Sequence, residues 1–164
     1  MDEGHGRAER RTVGWREWVA LPQLGIPGLK AKIDTGARTS ALHTFRVERT
    51  RRGGVERVRF GIHPIRRRPD IEIFCEADVT DYRMVTDSGG RREKRFIIVT
   101  DVSLLGEVWP IEMSLTNREN MLFRMLLGRT AMEGRLVVDP GLSYVTGRRL
   151  ARKYPKKSDN PTGP

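Results

Sequence analysis

An aspartate, a threonine and a glycine follow an apolar segment in residues 30–42, KAKIDTGARTSAL, and this combination could do acid-base chemistry. Backbone N–H groups can hold the carboxylate of Asp34 beside a water molecule, and Gly36 allows the close backbone approach that this requires. The hydroxyl of Thr35 can fix the same loop. Read alone, Asp-Thr-Gly is also an ordinary Asx-type turn. A second segment, MLLGR at residues 125–129, is an apolar strand that runs into glycine and then a short helix.

The elements that must position these residues are short apolar runs of strand length, separated by Gly, Pro and Asp turns. The runs predict an all-β sandwich or barrel: WREWVAL, LKAKID, SALHTFRV, VERVRFGI, IEIFCEADV, RFIIVTDV, VWPIEMSL and GRLVVD. Paired glycines predict two hairpin turns, at Gly53-Gly54 and at Ser88-Gly89-Gly90. One short helix is predicted near residues 128–133, where Gly134 ends it.

Both ends of the chain are too polar to contribute much to a core. We therefore predict a flexible segment at residues 1–12, one folded domain at residues 13–147 and a basic disordered tail at residues 148–164. A chain of 164 residues suits a single core. With one cysteine, Cys75, an intrachain disulfide is excluded and a reducing, cytoplasmic location is expected. No apolar run is long enough to cross a membrane.

The net charge of +10 indicates an acidic partner, since the arginines occur in clusters that could bind nucleic acid, an acidic peptide or an anionic surface. A solvated, repelling face is the other interpretation of the same clusters.

The two loop segments resemble those of the retropepsin-like aspartic peptidases, which combine an Asp-Thr-Gly-Ala loop with a later apolar-Gly-Arg segment before a helix. The longer pattern GWREWVALPQLGIPGLKAKIDTGARTSALH, with VRFGIHP, MSLTNRENM and LLGRTAM, is similar to the RimB-like bacterial branch. That branch carries an ATP-dependent zinc protease label. The resemblance implies a retropepsin-like closed β-barrel or sandwich.

The resemblance also implies an aspartic peptidase in which Asp34, Thr35 and Gly36 form the catalytic loop. Because one subunit supplies one such loop, a homodimer would bring two Asp34 carboxylates together to share a proton and activate water. No cofactor is then needed. Substrate-binding residues would be Ala37, Arg38 and Arg129.

Family members fold a β-hairpin flap over the substrate. Residues 84–96, with Ser88, Gly89 and Gly90 at the tip, are the preferred candidate, and the Gly53-Gly54 hairpin is the competitor.

Arg38 occupies a position where retroviral relatives usually have an acidic residue that pairs with the arginine equivalent to Arg129. Two cations there leave positive charge unneutralised, which predicts an anionic substrate. Members of the branch are associated with a ligase that adds glutamates to a small-subunit ribosomal protein. The resemblance therefore implies an oligoglutamate-like peptide or glutamylated ribosomal-protein tail as substrate, with possible ribosome association.

The sequence is also compatible with two other functions. A noncatalytic module that docks on ribosomal RNA or a ribosomal protein fits the basic runs, although no RNP-type aromatic segment is present. A metallopeptidase fits the family label. The sequence supports neither ATP nor zinc, because it has no GxxxxGK[ST] phosphate loop and no HExxH motif, and His43 and His63 are expected to be ordinary structural histidines. No metal site is predicted.

Overall fold

The elements of the chain are almost all strands, as the alternating apolar pattern predicts. The structure is a computed structural model that describes residues 9–156. Its strands are β1 (Arg11–Val13), β2 (Arg16–Leu21), β3 (Ile26–Ile33), β4 (Ser40–His43), β5 (Arg46–Arg52), β6 (Val55–Ile62), β7 (Ile73–Asp78), β8 (Asp81–Thr86), β9 (Arg92–Leu104), β10 (Glu107–Thr116), β11 (Met125–Leu127) and β12 (Leu136–Val138). Helix α1 spans Arg129–Met132, and two 3-10 helices span Pro22–Leu24 and Arg149–Lys153.

The largest sheet closes on itself. Its strand order is β10-β4-β11-β3-β2-β9-β8, and β10 also pairs with β9, so six strands form a ring that β8 extends. Closure removes two sheet edges that would otherwise expose unpaired backbone groups. The predicted all-β fold, with a closed barrel and one short helix after the Leu-Leu-Gly-Arg segment, is confirmed.

Two smaller sheets complete the fold: β5-β6-β7 is antiparallel, and β1 pairs with β12 in parallel. The run SALHTFRV was predicted as one strand, but the structure divides it between the barrel and the three-stranded sheet. Thr44 donates both its N–H and its hydroxyl to the carbonyl of Thr116, each at 2.8 Å, while the N–H of Phe45 bonds Gly61 at 3.0 Å. The chain changes sheet between these two residues.

Strand β3 shows how the barrel core is filled. Leu29, Ala31 and Ile33 point inward and are buried, while Lys30 and Lys32 point outward. Each large apolar side chain removed from water in this way contributes roughly 1.5–3 kcal/mol. Asp34 directly follows Ile33, the last residue of this strand. Among the described residues, no helix is long and apolar enough to cross a membrane.

Regular structure extends beyond the limits expected for the folded domain. Strand β1 begins at Arg11, and the 3-10 helix at Arg149–Lys153 lies within the stretch expected to be a disordered tail. Leu150 packs against Gly28, where an added Cβ would lie 2.9 Å from Leu150 Cβ. The expectations for residues 1–8 and 157–164 concern positions outside the described residues.

Candidate functional site

The loop that follows β3 holds the carboxylate of Asp34 in a fixed position. The N–H of Asp34 donates to the carbonyl of Leu127 at 2.9 Å, which ties the loop to strand β11. The N–H of Gly36 donates to Asp34 Oδ1 at 2.9 Å. A Cβ on Gly36 would lie 3.1 Å from that oxygen, so glycine suits this close approach. The carboxylate is half-buried and oriented by the backbone.

A second loop, at the start of helix α1, crosses the first. The N–H of Arg129 donates to the carbonyl of Ala37 at 2.7 Å. The N–H and the hydroxyl of Thr130 both donate to the carbonyl of Arg38, at 3.1 and 2.8 Å. These three bonds make the two sequence-predicted segments a single unit, although about ninety residues separate them along the chain.

Gly128 is the tightest point of this crossing. A Cβ there would lie 2.6 Å from the carbonyl carbon of Thr39, and backbone atoms cannot move aside as a flexible side chain can. We expect Gly128→Ala to lower the free energy of unfolding by about 1–3 kcal/mol, the usual cost of overpacking. Urea denaturation measures the change. Gly89→Ala is the matched control because its Cβ would meet Asp87 Oδ1 at an ordinary 3.4 Å. Equal losses in both variants would contradict the proposed backbone clash.

The guanidinium of Arg129 has two partners within the protein. Its Nη1 donates to the carbonyl of Thr35 at 3.2 Å, and its Nε lies 3.9 Å from Glu133 Oε1, one helical turn away. The expectation that both loop arginines are unneutralised is therefore wrong for Arg129. Arg38 is exposed beside the same loop. Arg38 remains the cation better suited to an anionic ligand.

The hairpin between β8 and β9 lies over the Asp34 loop. A Cβ on Gly36 would lie 4.0 Å from the Cβ of Ser88, whereas Cβ atoms on Gly53 and Gly54 would meet nothing within 4 Å. The tip is held by Asp87, whose Oδ1 accepts hydrogen bonds from the N–H groups of Gly89 and Arg91, at 3.0 and 2.9 Å.

Gly90 adopts φ +85°, which the turn requires. Thus residues 34–38, Ser88 and Arg129 come together, while Gly89 and Gly90 shape the turn behind Ser88.

Buried polar residues that were not predicted from the sequence form a chain of hydrogen bonds that reaches the site at Gly128. Ser40 Oγ accepts from the N–H of Gly128 at 3.0 Å, and Ser114 Oγ donates to the carbonyl of Ser40 at 3.1 Å. Arg95 Nη1 reaches Ser114 Oγ at 3.3 Å, and Arg95 Nε pairs with Glu93 at 2.8 Å. Alternation does not predict Ser114, which is buried but out of phase with the buried apolar residues Trp109, Ile111 and Met113 of β10.

His43, the last residue of β4, and His63, which follows β6, both have structural partners. His43 Nδ1 lies 2.6 Å from Thr116 Oγ1. Burial, with Arg95 nearby as the next cause, lowers the pKa of His43 to about 4. His63 Nε2 lies 3.0 Å from Glu72 Oε1, and its Nδ1 contacts Glu119. Within residues 9–156 no group of three or more His, Cys, Asp or Glu side chains is arranged to hold a metal ion.

A closed β-barrel in which an Asp-Thr-Gly loop is bonded to a Gly-Arg loop defines a retropepsin-like domain. The chain belongs to the RimB-like family, whose model, described as "Retropepsin-like aspartic endopeptidase RimB", matches residues 12–149. A solved structure is similar as well: a protein of unknown function (DUF785) from Legionella pneumophila has a TM-score of 0.69 and 27% identity. The match covers 83% of this chain and 98% of that one.

Curated relatives have a different activity in their names. A "Probable alpha-L-glutamate ligase" of Desulfotalea psychrophila is 40% identical over 94% of this chain and 34% of its own length. Proteins of the same name from Shewanella pealeana and Parasynechococcus marenigrum are 42% and 43% identical, over 84% and 82% of this chain and over 30% and 29% of their own lengths. The chain thus spans about a third of the length of these relatives.

These names overturn the predicted activity. The sequence predicted an aspartic peptidase, a hydrolase, whereas the curated relatives are named as ligases, which form bonds. The prediction transferred a reaction together with a fold, and one fold hosts many reactions. The homodimer was predicted from the peptidase mechanism, and it stays a prediction, as does ribosome association.

Proposed function

We propose that this chain serves α-L-glutamate ligation as a domain that binds a glutamate-bearing substrate. One observation carries the proposal: relatives named as α-L-glutamate ligases are 40–43% identical over most of this chain, yet the chain spans only about a third of each. In those relatives, a shared segment of that size corresponds to one domain. The bond-forming reaction then belongs to the remaining two thirds.

The Asp34 loop offers groups that suit glutamate. Glutamate and peptides ending in it carry carboxylates, and free glutamate also carries an ammonium group. Arg38 presents a guanidinium, which matches a carboxylate in a two-pronged geometry. Asp34 Oδ1 is held by Gly36, and the carboxylate can accept a hydrogen bond from an ammonium or amide N–H. The loop therefore has one donor and one acceptor for the two ends of an amino acid.

The hairpin tip at Ser88 supports the same assignment. It lies over Gly36 and narrows access to the loop. A ligand enclosed between the tip and the loop would lose part of its water shell, and charged hydrogen bonds are stronger where water is excluded. The proposal includes a cytoplasmic location, which the single buried Cys75 suits.

Calorimetry with two peptides tests the proposal. One peptide ends in two glutamates and the other ends in two glutamines. We expect the glutamate peptide to bind more tightly and Arg38→Gln to weaken it by about tenfold or more, the value of a charge-assisted hydrogen bond. Arg51→Gln, on the exposed Gly53-Gly54 hairpin, removes the same charge away from the loop and should leave affinity unchanged. Equal binding of both peptides, or equal losses in the two variants, would refute the proposal.

A further inference from the structure

A second concave surface lies on the outer side of strands β2 and β3. It encloses about 870 Å³, and none of the residues of the Asp34 loop lines it. Its other walls are the loops at residues 64–71 and 122–124 and the C-terminal residues 151–156. Pockets that bind small molecules usually have volumes of about 300–1,000 Å³, so this cavity is large enough for one. The cavity is separate from the site described above.

Strand alternation builds the floor of this cavity. Arg16 and Trp18 project from β2 on the face opposite to Glu17 and Val19, which are buried in the barrel, and Trp18 lies in register with Lys30 of β3. The C-terminal wall is fastened to β3 because the Tyr154 hydroxyl donates to the carbonyl of Gly28. Burial raises the pKa of Tyr154 to about 12, which keeps that hydroxyl protonated.

The lining is strongly cationic. Lys30, Arg66, Arg67 and Arg152 are exposed at its edge, and no acidic residue is among the described residues that line it. Two further arginines are already used by the protein. Arg68 pairs with Asp70 at 2.9 Å, while the guanidinium of Arg124 donates to backbone carbonyls of both neighbouring loops. The four exposed cations at the edge repel one another, and a bound anion would offset that repulsion.

Two buried donors in the lining also lack an acceptor. Arg16 Nε and Trp18 Nε1 have no hydrogen-bond partner among the described residues. A buried polar group without a partner costs about 1–3 kcal/mol, so these two atoms are a local cost of the floor. The Arg16 guanidinium is held between rings, with Cζ 4.5 Å from the Trp15 centroid and 4.7 Å from that of Tyr144.

We propose that this cavity binds a nucleoside polyphosphate. Adjacent phosphates concentrate several negative charges in a small volume, which suits clustered guanidinium groups better than the single, spaced charges of an acidic peptide. The apolar part of the wall, formed by Ile65, Ile71 and Phe123, suits the flat ring of a base.

A single RNA strand fits the cavity less well than a free nucleotide. Bases of a strand stack on successive open aromatic faces along a groove. Here Arg16 and Lys30 already lie over Tyr144, and Lys30 also lies over Trp18 at 5.6 Å. Those rings hold the cations of the site in place and are not open platforms for stacking.

Calorimetry with ATP, inorganic triphosphate, adenosine and a single-stranded RNA decamer tests the inference. We expect ATP to bind most tightly, triphosphate more weakly and adenosine weakest. The double variant Lys30→Gln/Arg66→Gln should weaken ATP binding by about tenfold or more. Arg51→Gln/Arg52→Gln is the matched control, since it removes two exposed charges on the β5–β6 hairpin and should leave ATP affinity unchanged.

Several outcomes would overturn the inference: no ATP binding, equal losses in the two double variants, or RNA binding that ATP does not displace. If Lys30→Gln/Arg66→Gln fails to fold by circular dichroism, Arg152→Gln takes its place, because Arg152 is exposed at the other wall. Arg38→Gln should leave ATP affinity unchanged. The two proposals can therefore fail independently, because the Lys30 and Arg66 substitutions test ATP binding and Arg38→Gln tests glutamate binding.

Discussion

Replacing Glu17 with glutamine is expected to lower the free energy of unfolding by about 2–4 kcal/mol, because four hydrogen bonds end on its buried carboxylate. Glu17 is fully buried, and its carboxylate accepts four hydrogen bonds. Oε2 accepts from the N–H groups of Gly14 at 2.7 Å and Val145 at 3.0 Å. Oε1 accepts from the N–H and the hydroxyl of Thr146, at 3.1 and 3.2 Å.

Glutamine has nearly the same shape but turns one acceptor into a donor. Its amide nitrogen would face at least one backbone N–H wherever it is placed, so at least one buried donor loses its acceptor. Urea denaturation of both proteins measures the difference, and Glu107→Gln at the exposed start of β10 is the control. A loss below about 1 kcal/mol would mean that the four hydrogen bonds are replaced by other contacts. Since Glu17 joins β2 to residues 145 and 146, the variant should also loosen the wall of the cationic cavity.

The sequence does contain the signal for Glu17. In REWVAL, a period of two places Glu17 on the same face as Val19 and Leu21, and a charged residue on an apolar face must find partners inside. Its partners lie in the irregular stretch near Thr146, which no periodic pattern describes. The buried charge was therefore predictable, whereas the residues that satisfy it were not.

The Asp34 loop was predictable for a related reason. Its residues are contiguous, and both its strand and the later Gly-Arg segment have local patterns. That β9 pairs with both β2 and β10, and thereby closes the barrel, depends on contacts that no local pattern encodes. The cationic cavity is harder still to predict, because its residues come from six separate segments. Arg129 and Glu133, in contrast, are four residues apart on a helix, and that spacing already predicts their pairing.

The activity was the least predictable feature. An aspartate oriented by a glycine N–H can activate water, but it can also bind an amine or an amide, so the geometry of the loop does not choose among reactions. The prediction of peptide hydrolysis came from family resemblance, whereas relatives that are 40% and 42% identical to this chain carry the name of a ligase. Fold and loop architecture follow from the sequence more directly than the reaction does.

Acidification is expected to destabilise the protein through His43 between pH 6.5 and about 4. Burial, followed by Arg95, lowers the pKa of His43 from 6.5 to about 4, so the folded protein keeps this ring neutral in that range. The unfolded chain takes up the proton below pH 6.5, and the state that binds more protons gains stability as the pH falls. The contribution of His43 is therefore complete above pH 6.5 and is lost progressively as the pH falls toward 4. Its full size is about 3 kcal/mol.

Comparison with His43→Gln isolates this contribution. The glutamine can still bond Thr116 but cannot be protonated, so the variant lacks the pH-dependent term while every other titrating group is retained. Urea denaturation at pH 7, 6, 5 and 4.5 gives the free energy of unfolding for both proteins. We expect the difference between wild type and variant to shrink as the pH falls. A constant difference over that range would mean that His43 titrates alike in the folded and unfolded chains, and that burial and Arg95 do not hold it neutral in the folded protein.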